Sequence, residues 1–151
     1  MKLLQIKCLA ILFFLIFVDF LNPFSFSLKT DLVYLGILFM AFRVPLEVSL
    51  VNALLFGLMK DVLVFLFFPL HTLFFVTTCI VVWYFVKHFH LRFLVKNILI
   101  FGILSLYGLS NSLFIGQLDL KLLVLFILQS IVLYHLFHYI ISQWIPEYST
   151  G

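Results

Sequence analysis

The stretch FGLMKDVLVFLFFPLH, residues 56–71, places Lys60 and Asp61 side by side in a run that is otherwise almost wholly apolar. Ionisable residues within such a run are costly in lipid, so each of them needs a physical reason. In a chain with so few charges, the pair raises the question of whether it serves catalysis, partner binding or topology. The other residues of the chain help to distinguish these three roles.

The composition of the chain excludes a soluble globular domain. Of the 151 residues, 66% are hydrophobic and 10% are charged, and the mean hydropathy is +1.29. A soluble domain is about half apolar and about a quarter charged, and a small domain leaves much of its surface in water. The sequence therefore predicts an all-α, polytopic integral membrane protein with a single transmembrane domain over residues 1–151.

Apolar stretches of the right length for a membrane-spanning helix recur along the chain. A hydrocarbon core of roughly 30 Å needs about 20 helical residues. The second stretch is short, so it either borrows residues from 27–30 or crosses only part of the bilayer. The third begins at Pro45, which suits a first helical turn, and the fourth opens near Pro69. The six predicted spans are about 3–21, 31–42, 45–64, 69–86, 98–115 and 120–141.

The basic residues in the connections predict the orientation, because cytoplasmic loops are enriched in Lys and Arg. Placing both termini inside puts most of these residues on the cytoplasmic side, so we expect an N-in and C-in topology with headgroup contacts at the basic residues. The predicted inner residues are Lys2, Lys7, Arg43, Lys87, Arg92 and Lys96, and the outer ones are Lys29, Lys60 and Lys121.

Within the third span, Gly57 and Asp61 lie one helical turn apart on one face. The missing side chain at Gly57 permits another helix to approach closely, while the Asp61 carboxylate meets a donor on that helix. Lys60 lies on a different face, because adjacent helical residues do not face each other. Two interpretations stay open: both charges reach water at the outer interface, or Asp61 is buried by further apolar chain or a partner.

The sequence offers no candidate for catalysis or metal binding. Cys8 and Cys79 lie in separate apolar runs without a CxxC spacing, which favours buried small side chains. Neither HExxH nor a second carboxylate set to share a proton with Asp61 is recognisable. The scattered basic residues do not favour nucleic-acid binding. We therefore expect a non-enzymatic protein without a cofactor.

Three features together carry a family resemblance. Asp31 opens the short second span, a basic residue and a proline break the chain from Arg43 to Pro45, and FGLMKD occupies residues 56–61. On these residues the chain resembles the MreD family, the small multispan subunit of the bacterial rod-shape machinery, or elongasome. In that family a Gly and an Asp recur at this spacing in the third span, and the fourth span starts where His71 falls here.

The resemblance implies a membrane scaffold for bacterial cell-shape determination, which organises lateral peptidoglycan synthesis in the cytoplasmic (inner) membrane. Its implied partner is an MreC-like single-span protein, with possible links to MreB, RodA and a class B penicillin-binding protein. The basic loop from Lys87 to Lys96 would meet anionic lipid. The implied partner-binding or helix-packing residues are Gly57, Asp61, Asp31, Pro69 and His71.

An alternative class is the substrate-binding S-component of an energy-coupling-factor vitamin transporter, which has a similar size and a similar number of spans. Such subunits usually carry a small-residue motif of the Ala-xxx-Ala type in the first span, where the coupling subunit docks. The first span here reads LAILFFLIF, without that spacing. This difference favours the scaffold.

Overall fold

The computed structural model describes residues 2–21, 31–63, 69–89, 93–115 and 120–145. These residues form six α-helices and contain no β-strand, so the predicted all-α class and the six helices are confirmed. The helices are α1 (Lys2–Leu21), α2 (Leu32–Ala41), α3 (Leu46–Leu63), α4 (Leu70–His88), α5 (Phe93–Ile115) and α6 (Leu120–Ile141).

Four of the helices, α1, α4, α5 and α6, are long and apolar enough to cross a membrane. Helix α3 has 18 residues and carries three charges, Glu47, Lys60 and Asp61, within them, whereas each of the four long helices contains an 18-residue stretch with at most two. Helix α2 has only 10 residues and is therefore about 15 Å long, roughly half of a hydrocarbon core.

Helix α5 begins earlier than the sequence indicated. The predicted start was Ile98, whereas the helix starts at Phe93. The polar residues Lys96 and Asn97 suggested a connection, but both lie within the first turns of the helix. Long polar side chains are tolerated near the end of a membrane helix, because their polar groups can reach the interface while the backbone stays helical.

The short helix α2 lies at the centre of the bundle. The nine residues from Val33 to Ala41 are buried, and α2 contacts α1, α3, α4 and α6. A helix that is apolar all round is one that packs on all sides. At Gly36 an added Cβ would lie 2.6 Å from Cδ1 of Leu15, so the glycine permits the close approach of α1.

Contacts near the helix termini show that consecutive helices run in opposite directions. At one end, Lys7 Nζ donates to the Trp144 carbonyl at 3.4 Å, and Arg43 Nη1 donates to the Ile145 carbonyl at 2.8 Å. At the other end, Lys60 Nζ lies 3.6 Å from a carboxylate oxygen of Asp19. The start of α1 and the end of α6 therefore share one end of the bundle.

The two ends differ in charge among the described residues. The end that holds the start of α1 carries Lys2, Lys7, Arg43, Lys87 and Lys96 against Glu47 (five minus one, a net charge of +4), and we call it the basic end. The opposite end carries Lys60 and Lys121 against Asp19, Asp31 and Asp61 (two minus three, a net charge of −1), and we call it the acidic end.

Candidate functional site

A buried charge cluster joins three helices to the start of α2 at the acidic end. The Lys60 ammonium of α3 forms ion pairs with Asp31 and with Asp19 of α1, and the Tyr107 hydroxyl of α5 donates to Asp31. The Lys60 side chain is only 17% exposed, and the two carboxylates are less exposed still. The cluster holds two carboxylates and one ammonium, so its formal charge is −1.

The same two carboxylates cap the N-terminus of α2. Asp31 precedes the helix and accepts a hydrogen bond from the Tyr34 amide at 2.9 Å. Asp19 accepts from the amides of Leu32 at 3.3 Å and Val33 at 3.4 Å. The first amides of a helix have no partner within it, and the positive end of the helix dipole favours negative charge. The short central helix can therefore begin inside an apolar bundle.

Asp61 performs the equivalent task for α4. Its carboxylate accepts from the amides of His71 at 2.9 Å and Thr72 at 3.0 Å, and from the Thr72 hydroxyl at 2.7 Å. His71 Nδ1 lies 2.8 Å from the same carboxylate. Since an ionised carboxylate only accepts, the Nδ1 atom carries the proton in this contact. The Asp61 side chain is buried, so these four contacts replace its hydration.

Gly57 brings α4 close enough for this cap to form. A Cβ at Gly57 would lie 2.5 Å from Cα of Thr72 and 3.0 Å from its amide nitrogen. These are backbone atoms, which cannot rotate away as a side chain would. The glycine and the carboxylate one turn later thus act on the same residue of α4, one by making room for it and the other by hydrogen bonding.

The structure brings together several of the residues that the sequence indicated. Gly57, Asp61 and His71 form one contact, and Pro69 directly precedes α4 as its N-cap. Asp31 belongs instead to the neighbouring cluster with Lys60. The sequence placed Lys60 at the outer interface, whereas its ammonium turns inward to two carboxylates, because their attraction replaces the hydration that the side chain gives up.

The predicted lipid-contacting residues have different environments. Arg43 is buried and its guanidinium donates to the carbonyls of Ser142 and Ile145 beyond α6, so it holds the end of α6 rather than pointing into lipid. Lys87 lies over the Trp83 ring at 4.8 Å, and Lys96 lies over the Phe42 ring at 5.0 Å. Arg92, another of the predicted lipid-contacting residues, lies outside the described residues.

Sequence reasoning missed four participants in these contacts: Asp19, Thr72, Tyr107 and Tyr34. Asp19 interrupts an apolar span, and the same argument that drew attention to Lys60 applies to it. Thr72 is the third residue of α4, within the first turn whose amides need a partner outside the helix. The two tyrosines carry no such local signal, because their role depends on which helices meet.

An aromatic stack connects the two polar contacts. The Tyr34 and Tyr107 rings are stacked with centroids 3.8 Å apart, and Phe75 of α4 stacks on Tyr34 with centroids 5.3 Å apart. The Tyr34 hydroxyl lies 2.8 Å from the Thr78 hydroxyl. Helices α2, α4 and α5 are thereby joined next to the charges, which restricts the positions that Asp31 can take.

The chemistry of the site is that of a buried polar network. The carboxylates accept hydrogen bonds from helix amides, two hydroxyl groups, a histidine and a lysine, and these bonds are strong because one partner is ionised. Among the described residues, no group of three or more His, Cys, Asp and Glu side chains is placed to hold a metal ion. The geometry assigns each buried carboxylate a structural contact.

No family model matches the chain, and neither a curated protein nor a solved structure matches it. The architecture by itself defines the class as an all-helical protein with several apolar helices fit to cross a membrane.

Proposed function

We propose that this chain is a non-enzymatic scaffold of the MreD type, a multi-pass protein of the bacterial inner membrane. It would organise lateral peptidoglycan synthesis with an MreC-like single-span partner and, through that partner, with MreB, RodA and a class B penicillin-binding protein. The support is the resemblance carried by Asp31, the Arg43 to Pro45 break and the FGLMKD segment.

The observation that carries the proposal is the role of the FGLMKD segment in the fold. Gly57 and Asp61, the two residues of the resemblance in α3, meet the start of α4 at Thr72. Asp31, the third, meets Lys60 of the same segment. Three of the residues that suggest the family, Asp31, Gly57 and Asp61, therefore lie together at the acidic end, as expected if they shape one end of a scaffold, whereas the Arg43 to Pro45 break lies at the basic end.

The topology that we propose has six crossings with both termini in the cytoplasm. It is supported by the net charge of +4 at the basic end against −1 at the acidic end, since cytoplasmic ends are the more basic. The short α2 would cross together with its flanking residues. The acidic end then faces the outer side, where the large extracytoplasmic part of an MreC-like protein lies.

The test is co-purification from native membranes of the organism, using the full chain with an affinity tag. A photocrosslinking amino acid at Leu58, which is 52% exposed beside Gly57, reports contacts of α3. The same amino acid at Leu128 of α6, 57% exposed, is the matched control, because α6 packs against α2 and α5 rather than against α3. Depletion of the protein is expected to round the cells.

We expect an MreC-like protein in the eluate and a crosslink to it from Leu58 rather than from Leu128. An eluate without that protein, together with unchanged cell shape on depletion, would overturn the proposal. Co-purification of a bound vitamin would instead identify the chain as the substrate-binding subunit of a vitamin transporter.

A further inference from the structure

A groove of about 400 Å³ lies between α5 and α6 on the side towards the basic end. Apolar side chains from both helices line it, with two polar groups among them. The apolar residues are Leu94, Ile98, Ile100, Phe101 and Ile131, and the polar ones are Asn97 and His135. Ligand sites of this size are typically apolar with a few polar groups that fix orientation.

Three apolar residues of the groove are open to the surroundings of the bundle. Leu94 is 67% exposed, Ile98 61% and Phe101 52%. All three lie on α5, which together with α6 has the length and composition of a membrane span. The groove therefore opens towards the region that acyl chains occupy, and an acyl chain is the apolar occupant that this position supplies.

The charge around the groove selects the headgroup of such a lipid. The groove lies on the part of α5 nearest its N-terminus and on the part of α6 nearest its C-terminus, at the end where the described residues have a net charge of +4. Asn97 and His135 can each donate a hydrogen bond to a phosphate oxygen. None of the described residues that line the groove itself is a lysine or arginine, but Lys96 directly precedes Asn97 in the chain, and basic residues next to the membrane surface attract anionic lipid headgroups.

We infer that the groove between α5 and α6 binds one anionic phospholipid, with an acyl chain along Ile98, Phe101 and Ile131 and the phosphate at Asn97 and His135. This site is separate from the contacts of α3 and α4 on which the proposed scaffold role rests. The bound lipid would fill the space between two helices and stabilise their pairing at the basic end.

The experiment is native mass spectrometry of the purified full chain in detergent, with added phosphatidylglycerol or phosphatidylcholine. We expect one phosphatidylglycerol to be retained in preference to phosphatidylcholine by about tenfold, which corresponds to about 1.4 kcal/mol. This comparison needs no substitution, so it does not depend on whether a variant folds. Equal retention of the two lipids would overturn the inference.

Two variants locate the site. Ile98→Trp fills the groove and is expected to reduce the preference by about tenfold, whereas the matched control Leu106→Trp, on the same helix at a 64% exposed position, leaves it unchanged. His135→Ala removes one phosphate donor and is expected to weaken retention of phosphatidylglycerol alone. Wild-type retention in both Ile98→Trp and His135→Ala, or equal loss in Leu106→Trp, would show that the lipid binds elsewhere.

Discussion

At the scale of single residues, Gly57 and Asp61 explain why the charges of α3 are present. Gly57 leaves room for the backbone of Thr72, and the Asp61 carboxylate accepts hydrogen bonds from the first amides of α4. Amides buried without partners cost free energy comparable to a lost hydrogen bond. The adjacent Lys60 acts on a different helix face, so the doublet is two separate contacts rather than an acid–base pair.

Gly57→Ala is expected to lower the stability of the bundle by roughly 1–3 kcal/mol, because the new Cβ meets backbone atoms and forces α3 and α4 apart. The measurement is the Tm of the purified protein in detergent. Gly102→Ala is the matched control, since a Cβ there has no neighbour within 4 Å; it is expected to leave Tm unchanged or raise it. Equal effects of the two substitutions would contradict the close approach.

Asp61→Ala is expected to destabilise the protein by about 1–2 kcal/mol or more, the usual cost of losing a side chain that caps the first amides of a helix. Asp61→Asn keeps one accepting oxygen and is expected to lie between Asp61→Ala and the wild type. Thermal unfolding in detergent measures the order. Glu47→Ala, at an exposed carboxylate, serves as control and should stay within about 0.5 kcal/mol. A wild-type Tm for Asp61→Ala would show that the Asp61 carboxylate does not stabilise the start of α4.

At the scale of helices, the charge cluster ties α1, α3 and α5 to the start of α2. Lys60 supplies the positive charge that allows Asp19 and Asp31 to lie side by side. Removing one partner of a buried ion pair leaves an uncompensated charge, which costs more than the pair itself contributes. The cluster therefore determines how the three helices are placed around the short central one.

Lys60→Met is expected to cost about 3–5 kcal/mol, because two buried carboxylates then lack a counter-charge. In Lys60→Met, the cluster of Asp19 and Asp31 has a formal charge of −2. Adding Asp31→Asn returns the formal charge of the cluster to the wild-type value of −1. The double variant is thus expected to be more stable than Lys60→Met alone, as measured by a double-mutant cycle on unfolding. Lys2→Met, at an exposed lysine, is the control. A double variant whose losses simply add would refute the coupling.

Arg43→Lys is expected to loosen the turn that follows α6. The guanidinium reaches the carbonyls of Ser142 and Ile145 with one nitrogen and approaches His138 with another, a geometry that a single ammonium cannot reproduce. Hydrogen–deuterium exchange of residues 142–145 should become faster, while Lys87→Ala leaves it unchanged. Unaltered exchange in Arg43→Lys would show that the turn holds without the arginine.

The six helices were predictable because the lengths and hydropathy of the apolar stretches determine them. The spacing of Gly57 and Asp61 in α3 also indicated a face that contacts another helix. That α4 meets this face follows from the pairing of helices, which spacing does not encode. The cluster of Asp19, Asp31 and Lys60 was not predictable for the same reason, since its members come from three segments far apart in sequence. The lack of any charged residue in LVYLGILFMA, together with its apolar character all round, is the signal by which the central place of α2 could be recognised.

At the scale of the whole molecule, the charge difference between the ends and the alternation of the helices define one arrangement. The basic end holds the start of α1 and the end of α6, and the acidic end holds the caps of α2 and α4. In the topology that we propose, α2 and α3 cross together with the four long helices and both termini lie on one side of the membrane. The positive charge of the basic end is the reason for proposing that this side is the cytoplasm.

Cysteine labelling with a membrane-impermeant maleimide tests this arrangement most directly. Native Cys8 and Cys79 are buried, so the reporters are Lys2→Cys, Trp144→Cys and Lys121→Cys, each at an exposed position. We predict that only Lys121→Cys reacts in intact spheroplasts, and that Lys2→Cys and Trp144→Cys react after the membrane is opened. Labelling of Lys2→Cys and Trp144→Cys from opposite sides, or of Lys2→Cys and Lys121→Cys from the same side, would contradict the six-crossing bundle.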